Sequence, residues 1–343
     1  MVTNIVEEDL KRILSAHLPW SEFDGCTILV TGAGGFIPAY MVETLLLLKE
    51  IDVHVKVVGL VRNRDKARQR FEALGTEPDI LVQDVMIPLQ FQDVDYIIHA
   101  ASQASPKYYG QDPVGTAGAN VIGTHNMLSL AKEQRAKGVL FFSSSEVYGQ
   151  VNAKNMPIRE DGYGYLDPTD IRSCYAESKR MGENLCVSWF RQYGVPAKIV
   201  RPFHTYGPGM RLDDGRVQAD FVADVVCGRD ITVRSEGRVS RCFCYLADAV
   251  VGFFTVLLKG VPGEAYNIGD DRNELSMTEL AETLAELFPP RRVVFGKKEK
   301  QYLKSPVDRI SPDISKVRSL GWMPTTSMKE GLLRTVRSYH ELI

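Results

Sequence analysis

Tyr175 and Lys179 stand four residues apart, so on a helix they share one face. A phenol at its ordinary pKa of about 10 is a poor base at neutral pH. A neighbouring cation lowers that value, and the phenol then takes a hydroxyl proton while hydride leaves the same carbon. Tyr-x-x-x-Lys alone also occurs as a plain surface pair. It gains weight from the upstream segment Phe141-Phe142-Ser143-Ser144-Ser145-Glu146-Val147-Tyr148-Gly149, a hydroxyl-rich strand end. There Ser144 is placed to hydrogen-bond a substrate hydroxyl beside Tyr175. Glu146 has two readings. A carboxylate at the edge of a buried sheet is costly unless used or paired; it serves as general acid or base, or it caps a helix or pairs with a lysine.

A hydride needs an acceptor, and the glycines supply its site. A β-branched run leads directly into Thr31-Gly32-Ala33-Gly34-Gly35-Phe36-Ile37-Pro38 and a helix. Gly32 permits a tight turn, Gly35 lets the backbone approach a pyrophosphate, and the helix opened by Phe36 and Ile37 offers free N–H groups to that anion. Pro38 is tolerable only in the first helical turn. Arg62, Asp84, Val85, Ala100 and Ala101, at the ends of the next strands, complete the expected dinucleotide site. An acidic residue usually grips the ribose at the second strand's end, but Val61-Arg62-Asn63-Arg64 stands there. Arg62 either accommodates a 2′-phosphate, favouring NADP, or stacks on adenine with NAD as cofactor. Asp84 is a candidate for the adenine amino group.

These groups need a sheet to hold them. Candidate strands are Thr27–Thr31, Val55–Val61, Ile80–Gln83, Tyr96–Ala100, Val139–Ser143 and Ala197–Arg201. Helical stretches at Phe36–Lys49, Arg64–Ala73, Thr116–Gln134 and Tyr175–Tyr193 alternate with them. The pattern predicts an α/β fold, a Rossmann doubly wound parallel sheet, with βαβ crossovers. Residues 1–24 form an amphipathic helical extension and 25–201 the NAD(P)-binding domain. Residues 202–343 are mainly a smaller substrate-binding lobe, of which about 240–260 returns to the sheet, ending in the helix Ser327–Leu342.

The composition, 44% hydrophobic and 24% charged over 343 residues, suits a globular enzyme with a sizeable core. A net charge of -2 gives no field for nucleic acid. No apolar run reaches membrane-spanning length, and Glu7, Glu8 and Asp9 stand where a secretion signal would be basic. Scattered cysteines suit reduced thiols in a cytoplasm, and neither they nor the histidines form a metal-ligand cluster.

Together with Arg201-Pro202-Phe203-His204-Thr205-Tyr206-Gly207-Pro208, Asn120-Val121-Ile122-Gly123-Thr124, Arg241-Cys242-Phe243-Cys244-Tyr245 and Tyr266-Asn267-Ile268-Gly269, these motifs resemble the extended short-chain dehydrogenase/reductases that act on nucleotide sugars. Within that family, Ser144-Ser145-Glu146-Val147-Tyr148-Gly149, Ala104-Ser105-Pro106-Lys107-Tyr108-Tyr109 and Ser173-Cys174-Tyr175-Ala176-Glu177-Ser178-Lys179-Arg180 resemble the UDP-glucuronate decarboxylases most closely. A 4,6-dehydratase would have Asp at 145. The resemblance implies oxidation at sugar C4 with NAD or NADP, loss of the carboxylate as CO2, and return of the hydride. It implies roles for Ser145 and Glu146 in carboxylate orientation and proton delivery. Ser105 and Tyr109 would lie by the sugar carboxylate, and Arg216 and Arg241 on the diphosphate. Arg309 matches an arginine near the carboxylate, or else binds diphosphate. His204 departs from the usual Asn. A homodimer through Thr116–Gln134 and Tyr175–Tyr193 is also implied. A 4,6-dehydratase, a C4 epimerase and a silent NAD(P)-binding regulator are the competing readings.

Overall fold

The computed structural model describes residues 4–72, 77–234, 237–296, 307 and 309–340. The expected ends of two helices, Ala73 and Leu342, lie outside the described residues. The β-branched runs form strands β1 (Thr27–Thr31), β2 (Lys56–Val61), β3 (Asp79–Val82), β4 (Tyr96–His99), β5 (Gly138–Phe142) and β6 (Ala197–Pro202), each within one residue of expectation. They pair in parallel in the order β6-β5-β4-β1-β2-β3, the doubly wound Rossmann arrangement. Almost every residue of β1, β4 and β5 is buried, so both faces of the sheet need helices. One layer holds α1 (Asn4–Leu14) and α2 (Phe36–Leu47), with α3 (Arg64–Phe71) leading into β3. After the short α4 (Pro106–Tyr109), the opposite layer holds α5 (Pro113–Gln134) and α6 (Ser173–Tyr193). The start of α5 lies three residues before the expected Thr116, because Asp112 accepts from the Gly115 N–H and Pro113 sits in the first turn.

Beyond β6 the chain builds the lobe. Strands β7 (His204–Tyr206), β9 (Ser240–Tyr245), β11 (Glu274–Ser276) and β13 (Arg309–Ile310) make one small sheet, and β8 (Ile231–Val233) pairs with β12 (Val293–Phe295). Helices α7 (Val217–Val226), α9 (Met277–Leu287), α10 (Ser315–Arg318) and α11 (Met328–His340) accompany them. Two segments return to the main body. Helix α8 (Leu246–Lys259) packs on β5, β6 and α2. Strand β10 (Ala265–Ile268) adds a seventh, parallel strand beside β6. The sequence marked Tyr266–Gly269 as a motif but not as a strand.

The N-terminal helix is amphipathic as expected, yet its buried face carries a charge. Asp9 is fully buried and accepts hydrogen bonds from Tyr245 Oη (2.6 Å) and Arg334 Nη2 (2.8 Å), with Tyr40 Oη at 3.3 Å. Burial raises its pKa, and Tyr245 and Arg334 offset that. The helix thus fastens α2, β9 and α11 to one another. Asp9→Ala leaves two buried tyrosines without their acceptor and Arg334 held by Glu8 and Ile5 O, and is expected to cost about 1–3 kcal/mol, read from the urea midpoint. An unchanged midpoint would show that the contact is dispensable. No helix among the described residues is long and apolar enough to cross a membrane.

Candidate active site

The strand-to-helix turns of β1, β4 and β5 and the lobe enclose a cavity of about 1200 Å³. On the sheet side it is lined by Gly32, Gly35, Phe36, Ile37, Pro38 and Ala100. Gly32 has φ +69°, and a Cβ there would stand 2.9 Å from Ala101 Cα, so no larger residue fits this turn. Gly35 caps α2, which places Pro38 in the first turn, where its missing N–H has no partner to lose. The remaining expected cofactor residues do not line the cavity. Ala101 donates its N–H to Thr31 Oγ1, and Val85 packs against Gly123 of α5. Asp84 accepts from the Met86 N–H and stands 4.0 Å from the exposed Arg62 guanidinium, beyond the ends of β2 and β3.

Opposite this cradle lie Ser144, Ser145, Glu146, Tyr175 and Lys179. Helix α6 begins at Ser173, so Tyr175 is in its first turn and Lys179 one turn later. Tyr175 is 6% exposed and Lys179 2%. Burial pushes the lysine down to about 7, with Glu183 pushing it back up. Burial also raises the phenol, while a Ser144 hydrogen bond and the Arg216 charge lower it. Lys179 Nζ donates to Phe142 O at 2.6 Å, which ties α6 to the end of β5. Beneath it, Glu183 accepts from Ser143 Oγ and from Arg201 Nε (2.8 Å) and Nη2 (2.7 Å). Arg201 also reaches Tyr148 and Tyr163.

Tyr109 was expected beside the sugar carboxylate. It lines the cavity; its hydroxyl donates to Ala104 O, and its ring stacks on Tyr175, with centroids 5.0 Å apart and planes at 15°. It holds the Tyr175 phenol in place. Ser105 does not line the cavity; it caps α4 and donates to Asp214 O at 2.7 Å, tying two loops together.

Glu146 is paired, but with an arginine. Arg172 Nη1 is 2.9 Å from Glu146 Oε2, and Nη2 is 3.3 Å from Oε1. Arg172 lines the cavity, lies immediately before α6, and was not singled out from the sequence. Its one sequence signal is position: three residues before Tyr175, it enters the site with the same helix.

On the lobe side His204, Arg216 and Arg241 line the cavity, joined by Gln218, Arg234 and Arg238, which sequence spacing did not reveal. Burial, with help from Arg241 and Arg216, holds the His204 imidazole well below its usual pKa and therefore neutral. Arg216 is steadied by Asp214 at 2.9 Å and by Ala104 O at 2.7 Å. Arg309 is the clear correction. It does not line the cavity: it is 50% exposed and grips Glu274, with Nη2 2.9 Å from Oε2. Strand β13 pairs with β9 at Ser240, and that register brings Glu274 of neighbouring β11 within its reach.

A glycine turn, a strand-end Ser and a Tyr-x-x-x-Lys helix around one cavity are matched by a known family pattern. The NAD dependent epimerase/dehydratase family matches residues 28–269. The chain belongs to that family. It is 40% identical to UDP-glucuronic acid decarboxylase 6 of Arabidopsis thaliana over 89% of this chain and 86% of that one. Among solved structures, a dTDP-glucose 4,6-dehydratase from Streptomyces venezuelae with NAD bound is 27% identical, with a TM-score of 0.77 over 92% of this chain and 97% of that one. A UDP-glucose 4-epimerase from Thermotoga maritima shares the fold, with a TM-score of 0.79 at 23% identity over 92% and 99% of the two chains.

Proposed function

We propose that this family member removes CO2 from UDP-glucuronate, using transient oxidation at sugar C4 with NAD. The observation that carries the reading is Glu146: a carboxylate held at the cavity wall beside Ser145, where a dehydratase would need a second acid. The decarboxylase relatives support the same assignment. Gly32, Gly35, Phe36, Ile37 and Ala100, which line the cavity, would hold the cofactor. Bound NAD+ supplies the hydride acceptor and, once reduced, the donor for its return.

Tyr175 takes the proton of the C4 hydroxyl, which Ser144 orients. The resulting ketone lies β to the carboxylate. When the C5–C6 bond breaks, its electron pair passes to the C4 carbonyl as an enolate and CO2 leaves. Glu146 then oversees protonation at C5, and Tyr175 returns its proton to the C4 oxygen as the ketone is reduced. Arg216, Arg241 and His204 face the opposite end, where two cations and a neutral donor suit a diphosphate and its sugar. The same reading carries a homodimer through the exposed faces of α5 and α6, where Val114, Ile122, Met181 and Tyr193 are solvent-facing; light scattering on the purified chain tests it. It also places the enzyme in the cytoplasm.

Incubation with NAD+ and UDP-glucuronate should give a product lighter by one CO2. A dTDP-glucose product lighter by one water, with UDP-glucuronate untouched, would replace this reading with dehydration; an isomer of unchanged mass would replace it with epimerisation. Glu146→Gln keeps the shape but not the proton, and is expected to lower kcat for CO2 release by about 10²–10⁴-fold. Full turnover in that variant would strip Glu146 of its role.

A further inference from the structure

Glutamine is seldom found inside a protein, because its carboxamide carries donors and lone pairs that water otherwise satisfies. Gln218, in the first turn of α7, is only 6% exposed. Its Nε2 is buried and has no hydrogen-bond partner, and its oxygen has none among the described residues. The neighbours Ala219, Phe221 and Val222 are buried with it and bring no polar side-chain atom. Gln218 also lines the cavity. A buried amide left unpaired costs stability, and in a cavity wall it points to partners that arrive with the ligand.

The amide restricts what those partners are. Nε2 only donates and Oε1 only accepts, so the ligand must both accept and donate along one short edge. A phosphate oxygen only accepts and would set a negative charge against Oε1. Arg216 and Arg241 line the same cavity and suit that group better. Two hydroxyls on adjacent carbons meet the requirement: one oxygen accepts from Nε2 while the neighbouring O–H donates to Oε1.

We propose that Gln218 pairs with a vicinal diol of the nucleotide sugar and so reads its hydroxyl pattern. This rests on the nucleotide-sugar reading above and deepens it. Such a substrate carries vicinal diols on both sides of its diphosphate, on the ribose and on the pyranose. Arg216, assigned to that diphosphate, stands two residues before Gln218. A ligand that lacks one of the two hydroxyls leaves half of the amide unanswered, which makes Gln218 a specificity-determining residue. The free protein carries the cost of the unpaired amide, and only the complex recovers it. Gln218→Met keeps a long unbranched side chain without the amide, so it should raise the thermal midpoint of the free protein while weakening the complex. A residue that merely supports the fold would lower both.

The test uses the full chain loaded with NADH, which cannot accept the hydride, so that UDP-glucuronate binds without turnover. Calorimetry compares UDP, 2′-deoxy-UDP, UDP-xylose and UDP-glucuronate in the unmodified protein and in Gln218→Met. The variant is expected to lose about five- to fiftyfold in affinity for every ligand that carries the diol. If the diol is that of the ribose, UDP weakens by this factor and 2′-deoxy-UDP much less. If it is that of the pyranose, UDP and 2′-deoxy-UDP hold, while UDP-xylose and UDP-glucuronate weaken alike. Unchanged affinities for all four ligands overturn the proposal. So do equal losses for UDP and 2′-deoxy-UDP, which turn the amide towards the base or the fold, and a loss confined to UDP-glucuronate, which turns it towards the carboxylate. Gln218→Leu repeats the measurement if Gln218→Met does not fold, and failure of both to fold also overturns it, since the free protein then needs the amide. An unmodified protein that releases CO2 from UDP-glucuronate while failing these tests keeps its proposed function and loses only this role of Gln218. One that binds none of the four ligands loses both.

Discussion

Tyr175→Phe is expected to lower turnover by about 10²–10⁴-fold while cofactor affinity stays unchanged. The substitution removes one oxygen and keeps the ring that stacks on Tyr109 at 5.0 Å, so the helix and the cavity wall persist. On the proposed mechanism, what disappears is the acceptor for the C4 hydroxyl proton. Without it hydride cannot leave C4, no ketone forms, and the C5–C6 bond has nowhere to send its electrons. A second readout separates this from simple misplacement. Burial raises the phenol's pKa, so its basic form is scarce at neutral pH and grows as pH rises. The rate of C4 oxidation should therefore climb with pH in the unmodified enzyme. In the Phe variant that climb should vanish. Stopped-flow absorbance of NADH formation measures both, and a variant that keeps the slope would remove Tyr175 from the proton transfer.

Glu183→Ala carries the largest expected loss of stability, about 3–5 kcal/mol. Arg201 is almost fully buried, and Glu183 accepts from its Nε and Nη2 as well as from Ser143. Deleting the carboxylate strands a guanidinium inside the protein, since the hydroxyls of Tyr148 and Tyr163 cannot neutralise it. The pair also sits under the catalytic lysine. Glu183 is the group that counters the downward push of burial on Lys179, so its loss lowers the lysine further and weakens catalysis. Replacing both partners by apolar residues of similar volume should recover most of the stability, because the desolvation of two charges is then avoided. Urea unfolding of the single and double variants tests this, and a single-variant loss below about 1 kcal/mol would contradict the account.

The Rossmann half and the core of the catalytic site were legible because their determinants are local. A strand that opens through glycines into a helix, and a tyrosine one turn from a lysine, are spaced by backbone periodicity alone. Thus β1 to β6 lie within a residue of expectation, and Gly32, Gly35, Ser144, Tyr175 and Lys179 converge on one cavity. Charged side chains behaved differently. Arg309 sat at the expected place in sequence, yet strand pairing carried it to Glu274. Arg172 had no motif to announce it, and pairing with a lysine was only one of the readings open for Glu146; the packing of α6 against the turn after β5 brought Arg172 and Glu146 together. Tyr109 lines the cavity as its motif suggested and also stacks on Tyr175, while Ser105 ties α4 to the Asp214 turn, contacts that only the folded chain shows.

From its sequence alone, this protein is a doubly wound enzyme with a dinucleotide cradle and a phenol–ammonium pair. Which arginine pairs with Glu146, which carboxylate holds Arg309, and which strand joins the sheet beside β6 were decided by the tertiary structure. The physical reason is range. Periodicity and turn chemistry act over a few residues and can be read in order. An ion pair depends on where two distant segments come to rest, and a long side chain can reach any of several partners there. Burial then selects the one that leaves the fewest charges and donors without an answer.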